Sequence, residues 1–439
     1  MLEKLFKLKE NNTDVRTEVI GGATTFLTMS YIIFVQPVVL AACGMNKDAV
    51  FVATCVASAV ACLLMAFLAN YPIALAPAMG HNFYFAYVVC IGMGVPWQIA
   101  LGANFISGLL FMALSFVGLR EKLVNSIPMS LKNAIAVGIG LLIALIGLEW
   151  SGIIVQVPGT LIGLGHLKSP FVLLSLFGVM TITILMTLRV KGAILIGLIV
   201  NAVIALLLGM TRFEGIVSSP PSIGDTLFKL DIKNALTWNM IGVIFTLFFL
   251  DLFDTVGTLV GISEEAGLMK GGKLPRAKGA LMSDALGTIQ GTLLGTSTVT
   301  SYIESSTGVA EGAKTGLANV VTAVLFVLAL FFYPLIKMVS AGCASGGAVF
   351  YPVISPALIM VGVLMMANVK TIDWKDLTEA MPAFLTIVIM SFSFSITEGI
   401  SFGFITYTLL KTVKGKFKEV PVLVSVFSVL FILRYIFLM

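Results

Sequence analysis

The sequence predicts an all-α polytopic membrane protein of about fourteen transmembrane segments, arranged as two inverted seven-segment repeats, and three observations carry that prediction. Of 439 residues, 58% are hydrophobic and only 11% charged, against about 25% charged in an average soluble protein. From Ala49 to Leu119, 71 residues pass without one Asp, Glu, Lys or Arg, which is room for three crossings at about 20 residues each. Charge-free runs recur at 169–188, 192–211, 285–303, 315–336 and 338–369. A lipid-exposed backbone must satisfy its own polar groups as helix, so these runs read as helical spans.

In chain order the spans fall near 20–42, 51–70, 72–92, 98–117, 131–150, 169–188, 192–211, 238–262, 279–295, 298–311, 315–337, 346–368, 379–397 and 398–412. A last apolar stretch, 420–438, carries Arg434. It crosses, lies along the interface, or replaces the short 398–412 as the fourteenth span. The N-terminal MLEKLFKLKENNTDVRTE is basic but has no apolar core ending in a small-residue cleavage site, so the first span is read as the targeting signal.

Basic residues report orientation in such a chain. With the N-terminus in the cytoplasm, the inside loops hold twenty Lys and Arg, among them Arg120, Lys122, Lys270 and Lys273, and the outside loops hold six, Lys47, Lys168, Arg212, Lys229, Lys233 and Lys337. That asymmetry sets the N-terminus inside, and a multi-pass protein of the plasma membrane is expected. The net charge of +5 is spent on this orientation, and no nucleic-acid partner is expected. Five cysteines lie in or beside apolar segments without paired spacing, which reads as packing.

The inverted repeat rests on one internal similarity. The segment IPMSLKNAIAVGIGLLIALIGLEWSG after the fourth span resembles YPVISPALIMVGVLMMANVKTIDW after the eleventh. Seven spans separate them, and an odd-numbered repeat turns the second half upside down, the architecture of many secondary transporters.

Two spans are broken. YPIALAPAMGHNFYFAY, 71 to 87, holds Pro72 and Pro77 within one apolar segment, and LLGTSTVTSYIESSTGVAEG, 293 to 312, is dense in Gly, Ser and Thr. Neither suits a full regular helix. They are the third and tenth spans and correspond in the repeat. Half-helices meeting inside the bilayer present N–H groups and unwound carbonyls to a polar solute.

Four acids fall inside predicted spans: Asp251, Asp254, Asp284 and Glu304. A charge at helix centre costs about 2.5 to 3.5 kcal/mol on insertion scales, so retaining four implies use. Asp251 and Asp254 are three apart and share a helix face, flanked by Thr255 and Thr258. As neighbouring carboxyl groups they titrate as a pair, which suits a proton carrier and equally a cation site. Asp284, near the start of its span, reads as structural. Glu304 can accept two N–H bonds from one edge of a planar heterocycle, and Asn82, on the other broken segment, offers a donor and an acceptor. Phe83, Phe85 and Tyr302 could stack on a ring. His81 beside Asn82 could relay a proton, with a local hydrogen bond the favoured role.

No GxxxxGK[ST] loop and no cytoplasmic loop long enough for an ATPase domain occur, so primary active transport is not expected. No HExxH or Cys/His cluster suggests a metal, and no nucleophile and base pair suggests an enzyme. A channel remains the distant alternative, requiring a continuous polar pore.

The motifs GGATTFLTMSYIIFVQP, APAMGHNFYFAY, DLFDTVGTLVG and DALGTIQGTLLGTSTVTSYIESSTG together resemble the AzgA-like, azaguanine-type purine permeases of the nucleobase/ascorbate transporter superfamily, across essentially the whole chain. The resemblance implies import of hypoxanthine, guanine or adenine by proton symport, with no cofactor beyond the proton gradient. It implies a cytoplasmic N-terminus (1–19), a core domain (20–120 and 238–340), a gate domain (121–212 and 341–439) and an extracytoplasmic connection (213–237). A homodimer through the gate domain is also expected.

Carried over by motif, the family's binding positions fall on Glu304, Asp251, Asp254, Asn82 and Gly80, with Asp254 open as proton carrier or ligand; backbone amides at Tyr302 and Ile303, with Phe83 and Thr255, are expected to complete the substrate site. Proton coupling falls on Asp254, Asp251 and Glu304. The family more often reads GLNAFFAY where this chain has Gly80-His81-Asn82-Phe83-Tyr84-Phe85, so His81 and Phe83 bear on specificity. A xanthine, uracil or anion transporter of the same fold is the nearest alternative.

Overall fold

The computed structural model describes residues 2–117, 128–157, 159–269, 274–345 and 347–437. Arg120, Lys122, Lys270 and Lys273, which entered the orientation count, lie outside the described residues.

The first predicted span is two helices, α2 (Val15–Met29) and α3 (Ile32–Ala41), after a short α1 (Leu2–Phe6). Asp14 caps α2 by accepting from Thr17 N, and Pro37 sits inside α3. Asn46 caps α4 (Lys47–Leu68). The predicted third span then breaks: strand β1 (Leu75–Pro77), helix α5 (Met79–Phe83) and a π-helical run, Tyr84–Gly92. α6 (Trp97–Val117) and α7 (Met129–Trp150) follow, then a hairpin of β2 (Ile154–Val157) and β3 (Thr160–Leu164). α8 (Pro170–Thr187), with Pro at its first turn, and α9 (Ala193–Leu207) complete the first half.

The second half opens with a short α10 (Ile232–Ala235) within the connection, then α11 (Trp238–Glu265) and α12 (Ala277–Leu294). Gly295, at φ 97°, closes α12 in the left-handed region, where a Cβ would be strained. The predicted tenth span breaks as the third does, into β4 (Val299–Ser301) and α13 (Ser305–Ala310). α14 (Gly316–Ala329) and α15 (Tyr333–Val339) follow, joined by a 3₁₀ turn. The span read at 346–368 begins later: a hairpin of β5 (Cys343–Ser345) and β6 (Ala348–Phe350) occupies its start, and α16 runs Ser355–Met366. Gly347, at φ 83°, lies between the two strands in the left-handed region, a turn that apolar composition alone did not reveal.

Both segments of the ambiguous tail are helical, as α18 (Ile396–Val413) and α19 (Val422–Phe437), after α17 (Leu377–Phe392). Arg434 pairs with Glu398 at 2.9 Å, and Lys411 pairs with Glu379 at 2.7 Å, so the charges within these apolar helices are met by partners. Among the described residues, seven helical stretches are long and apolar enough to cross a membrane; Ala193–Leu207, Ser355–Thr371, Leu377–Phe392 and Val422–Ile436 are shorter apolar helices.

The chain divides into two compact units, residues 1–117 with 150–357, and residues 118–149 with 358–439. The division differs from the core and gate boundaries drawn from sequence, because 150–212 and 341–357 group with the first unit. Within the second unit the two similar segments touch: a Cβ at Gly362 would lie 2.6 Å from both Gly140 O and Ala144 Cβ. Small residues let α7 and α16 approach closely there. Within the first unit, Gly21 and Gly308 do the same for α2 and α13, where a Cβ at Gly21 would lie 2.9 Å from Gly308 O.

Candidate functional site

The site is built inside the first unit, where the two broken segments meet. β1 and β4 pair antiparallel, with Leu75 opposite Ser301, Ala76 opposite Thr300 and Pro77 opposite Val299. Two strands of three residues satisfy their own backbone deep in an apolar protein only by pairing with each other. The pair is held at its edges. Tyr302 N donates to Ala74 O at 2.9 Å and Ala78 N to Thr298 O at 2.9 Å. Asn319 donates to Tyr71 O and Ile73 O, and Thr288 Oγ1 donates to Val299 O at 2.9 Å. α5 and α13 each start just after a strand, so their first N–H groups lie beside this pair.

Glu304 is buried and occupies the cap position of α13, yet its side chain makes no capping bond. It accepts instead from the hydroxyl of Tyr31, between α2 and α3, at 2.7 Å. On α11, Asp251 is fully buried and Asp254 is 33% exposed, so the two carboxyl groups three residues apart occupy different surroundings. Thr255 is a hub: its hydroxyl lies 2.8 Å from Asp284 Oδ1, 3.4 Å from Asp251 Oδ1 and 2.7 Å from Thr300 Oγ1. It thereby links α11, α12 and β4. Asp284, fully buried, accepts from Thr255.

Asn82 is fully buried on α5 and accepts from Ser297 Oγ through its amide oxygen. Gln36 on α3 donates to Thr296 and Ser297, at 2.9 and 3.1 Å, and Thr298 donates to Asn104 on α6 at 2.6 Å. The amide nitrogens of Asn82 and Asn104, the amide oxygen of Gln36 and the hydroxyl of Ser301 have no hydrogen-bond partner. Leaving such a buried group unpaired costs about 1–3 kcal/mol, so a concentration of them marks a place equipped to bind something polar. The pattern offers N–H donors, amide and hydroxyl acceptors and carboxylates, which suits a neutral heterocycle with a mixed edge. Among the described residues no group of three or more His, Cys, Asp or Glu side chains could hold a metal ion.

The structure thus brings together Glu304, Asp251, Asp254, Thr255 and Asn82 with β1 and β4. Gly80 lies buried in α5. Tyr302 is buried and donates to Pro77 O at 2.5 Å, with its ring 6.5 Å from that of Tyr31, while Ile303 is about half exposed, at 49%. Phe83 sits elsewhere in character: it stacks on Tyr87 at 5.8 Å and meets Trp150 edge-on at 6.2 Å, an aromatic cluster that Tyr351 joins through Trp150. Phe85 is fully buried. For His81 the local hydrogen bond favoured from sequence is not found, because neither ring nitrogen has a partner.

Tyr31, Gln36, Asn104, Ser297 and Thr300 join the site beyond the residues named from sequence. The signal for the first two was present, as polar members of GGATTFLTMSYIIFVQP, and Asn104 is one of four amide side chains, with Asn70, Asn82 and Gln98, within the 71-residue charge-free run. Glu18 precedes the first apolar run and does not stand out there as an intramembrane acid. It is fully buried and accepts from Lys314 N, Thr315 N and Ala318 N at 2.8, 3.3 and 3.2 Å, capping α14.

The transmembrane domain of a cyanobacterial bicarbonate transporter, BicA, superposes with a TM-score of 0.63 at 15% identity, covering 88% of this chain and 97% of that one. That likeness shows the fold, a mostly helical inverted-repeat architecture shared with that domain. A permease of Methanocaldococcus jannaschii is 50% identical over 100% of this chain and 98% of its own. The guanine/hypoxanthine permease PbuG of Bacillus subtilis is 46% identical over 100% of both chains. The adenine permease AdeP of Escherichia coli is 44% identical over 100% of this chain and 96% of its own. The sequence model described as "Permease family" matches residues 16–402. The chain therefore belongs to this permease family, whose members are transporters and not enzymes, as its four motifs implied.

Proposed function

We propose that this protein imports purine nucleobases, hypoxanthine, guanine or adenine, across the plasma membrane by proton symport. The observation that carries the reading is the buried Glu304, held by Tyr31 beside the paired broken segments, in a chain whose full-length relatives are named adenine and guanine/hypoxanthine permeases. Glu304 and Asp251 accept N–H groups of the base, Asn82 and the backbone N–H of Ile303 complete its edge, since that of Tyr302 is spent on Ala74 O, and Asp254 or Asp251 takes up and releases the proton. The four carboxyl groups favour a neutral base over an anion, since an anion beside them meets repulsion in a medium of low dielectric. The cytoplasmic N-terminus and the homodimer through the gate elements belong to the same reading.

The test is uptake of radiolabelled hypoxanthine, guanine, adenine, xanthine and uracil into cells expressing the protein, at several pH values and with a protonophore. The proposal expects accumulation of at least one of the three purines against its gradient, abolished by the protonophore. Accumulation that survives the protonophore contradicts proton coupling, and uptake confined to uracil, xanthine or an anion contradicts the substrate.

A further inference from the structure

His81 is 2% exposed, and neither of its ring nitrogens has a hydrogen-bond partner. An imidazole kept in an apolar interior normally bonds at one nitrogen at least, which fixes its tautomer. The ionisable group that faces it is on another helix: Nδ1 lies 4.0 Å from Oδ2 of Asp254. That is beyond a hydrogen bond but within reach of a small rotation of either side chain or of one intervening water.

The two residues differ in access. Asp254 is 33% exposed, whereas Asp251 and Asp284 are fully buried. Of Asp251, Asp254 and Asp284, Asp254 is therefore the accessible one, and His81 is enclosed beside it. The other groups in electrostatic range of Asp254 are Asp284 on α12 and Glu304 ahead of α13, together with the phenols of Tyr31 and Tyr302. Asp251 shares its own helix. All of these are acids or phenols, so among the described residues named here His81 is the base.

We propose that His81 and Asp254 form a proton-sharing pair, with Asp254 as the member open to water and His81 as the inner member. In the transfer the O–H bond of the Asp254 carboxyl breaks and an N–H bond forms at His81 Nδ1. A neutral acid and a neutral imidazole become a carboxylate and an imidazolium, and the charge of the pair is unchanged. The reverse transfer returns the proton to Asp254. Because the pair bridges α5, in a broken segment, and α11, its proton responds to movement of one element against the other. This deepens the reading of the protein as a proton-driven permease and rests on it for its role in coupling, though not for the existence of the pair.

The experiment uses the purified full-length protein. Infrared difference spectra recorded across a pH titration identify the protonated carboxyl band of Asp254 as the one lost in Asp254→Asn. His81→Leu is expected to displace the pH at which that band appears by half a unit or more, and His81→Gln provides the same reading if the leucine variant fails to fold. An unchanged titration in either folded variant overturns the pair, whatever the protein transports. In liposomes, gradient-driven purine accumulation by His81→Leu is expected to fall at least tenfold relative to purine exchange between preloaded vesicles and medium. An unchanged ratio overturns the coupling role. Absence of any purine exchange by the wild-type protein contradicts the proposed substrate instead, and the infrared titration still decides the pair.

Discussion

The hydroxyl of Tyr31 donates to Oε1 of Glu304 across 2.7 Å, joining residues 273 positions apart in the chain. The bond orients the carboxyl group that stands between β4 and α13 in the broken tenth segment. A hydrogen bond to a charged group contributes about 1.5–3 kcal/mol, which corresponds to roughly tenfold to hundredfold in affinity. Tyr31→Phe is expected to raise KM for purine uptake by at least tenfold while the amount of folded protein in the membrane is unchanged. Kinetics of initial uptake rates checks this, and an unaltered KM contradicts the role given to Tyr31.

Thr255 holds together three elements through one hydroxyl, with Asp284 and Thr300 within 2.8 and 2.7 Å. Thr255→Val keeps the shape and removes the bonds, so uptake is expected to fall at least tenfold, whereas Thr255→Ser retains most of it. Parallel uptake assays with expression controls separate the two variants. Equal activity in both would show that the hydroxyl has no part.

Glu18 accepts from three backbone N–H groups at the start of α14. Removing a buried acceptor strands those donors, at a cost of about 1.5–3 kcal/mol for bonds to a charged group. Glu18→Ala is expected to lower the Tm of the detergent-solubilised protein by several degrees, with Glu18→Gln intermediate because its amide oxygen still accepts. A Tm equal to wild type for the alanine variant contradicts the capping role.

Asp376 caps α17 through Thr378 N at 2.9 Å, and this bond, aided by Lys414, holds its carboxyl below the ordinary value of 3.8. A lowered carboxylate contributes stability that is full above its unfolded-state value and is lost as pH falls through the folded-state one. Asp376→Ala is therefore expected to lower Tm at pH 7, with the difference from wild type shrinking once the pH drops below about 4. Thermal unfolding at pH 7, 5 and 3 measures it, and a difference that grows toward acid reverses the assignment.

Much of this architecture could be read in the residues. The runs without charge gave the helices, and prolines 72 and 77 with the Gly, Ser and Thr of 293–312 located both breaks. What the periodicity could not supply was pairing across hundreds of residues. The register of Ala76 on Thr300 and the bond from Tyr31 to Glu304 arise only when the chain has folded. The β5–β6 hairpin hid within a charge-free run because strands and spans are both apolar. Phe83 looked like a stacking residue by composition, and its engagement with Tyr87 and Trp150 depends on a residue 67 positions away. His81 was legible as unusual, yet its neighbour Asp254 lies on a helix that no local spacing connects to it.

The measurement that bears most directly on the account is uptake of radiolabelled hypoxanthine, guanine and adenine by Glu304→Gln in proteoliposomes with an imposed proton gradient. The buried carboxylate beside Tyr31 is assigned the central contact with the base. The account predicts a variant that inserts and folds like wild type and accumulates none of the three purines. Accumulation at the wild-type rate would contradict it.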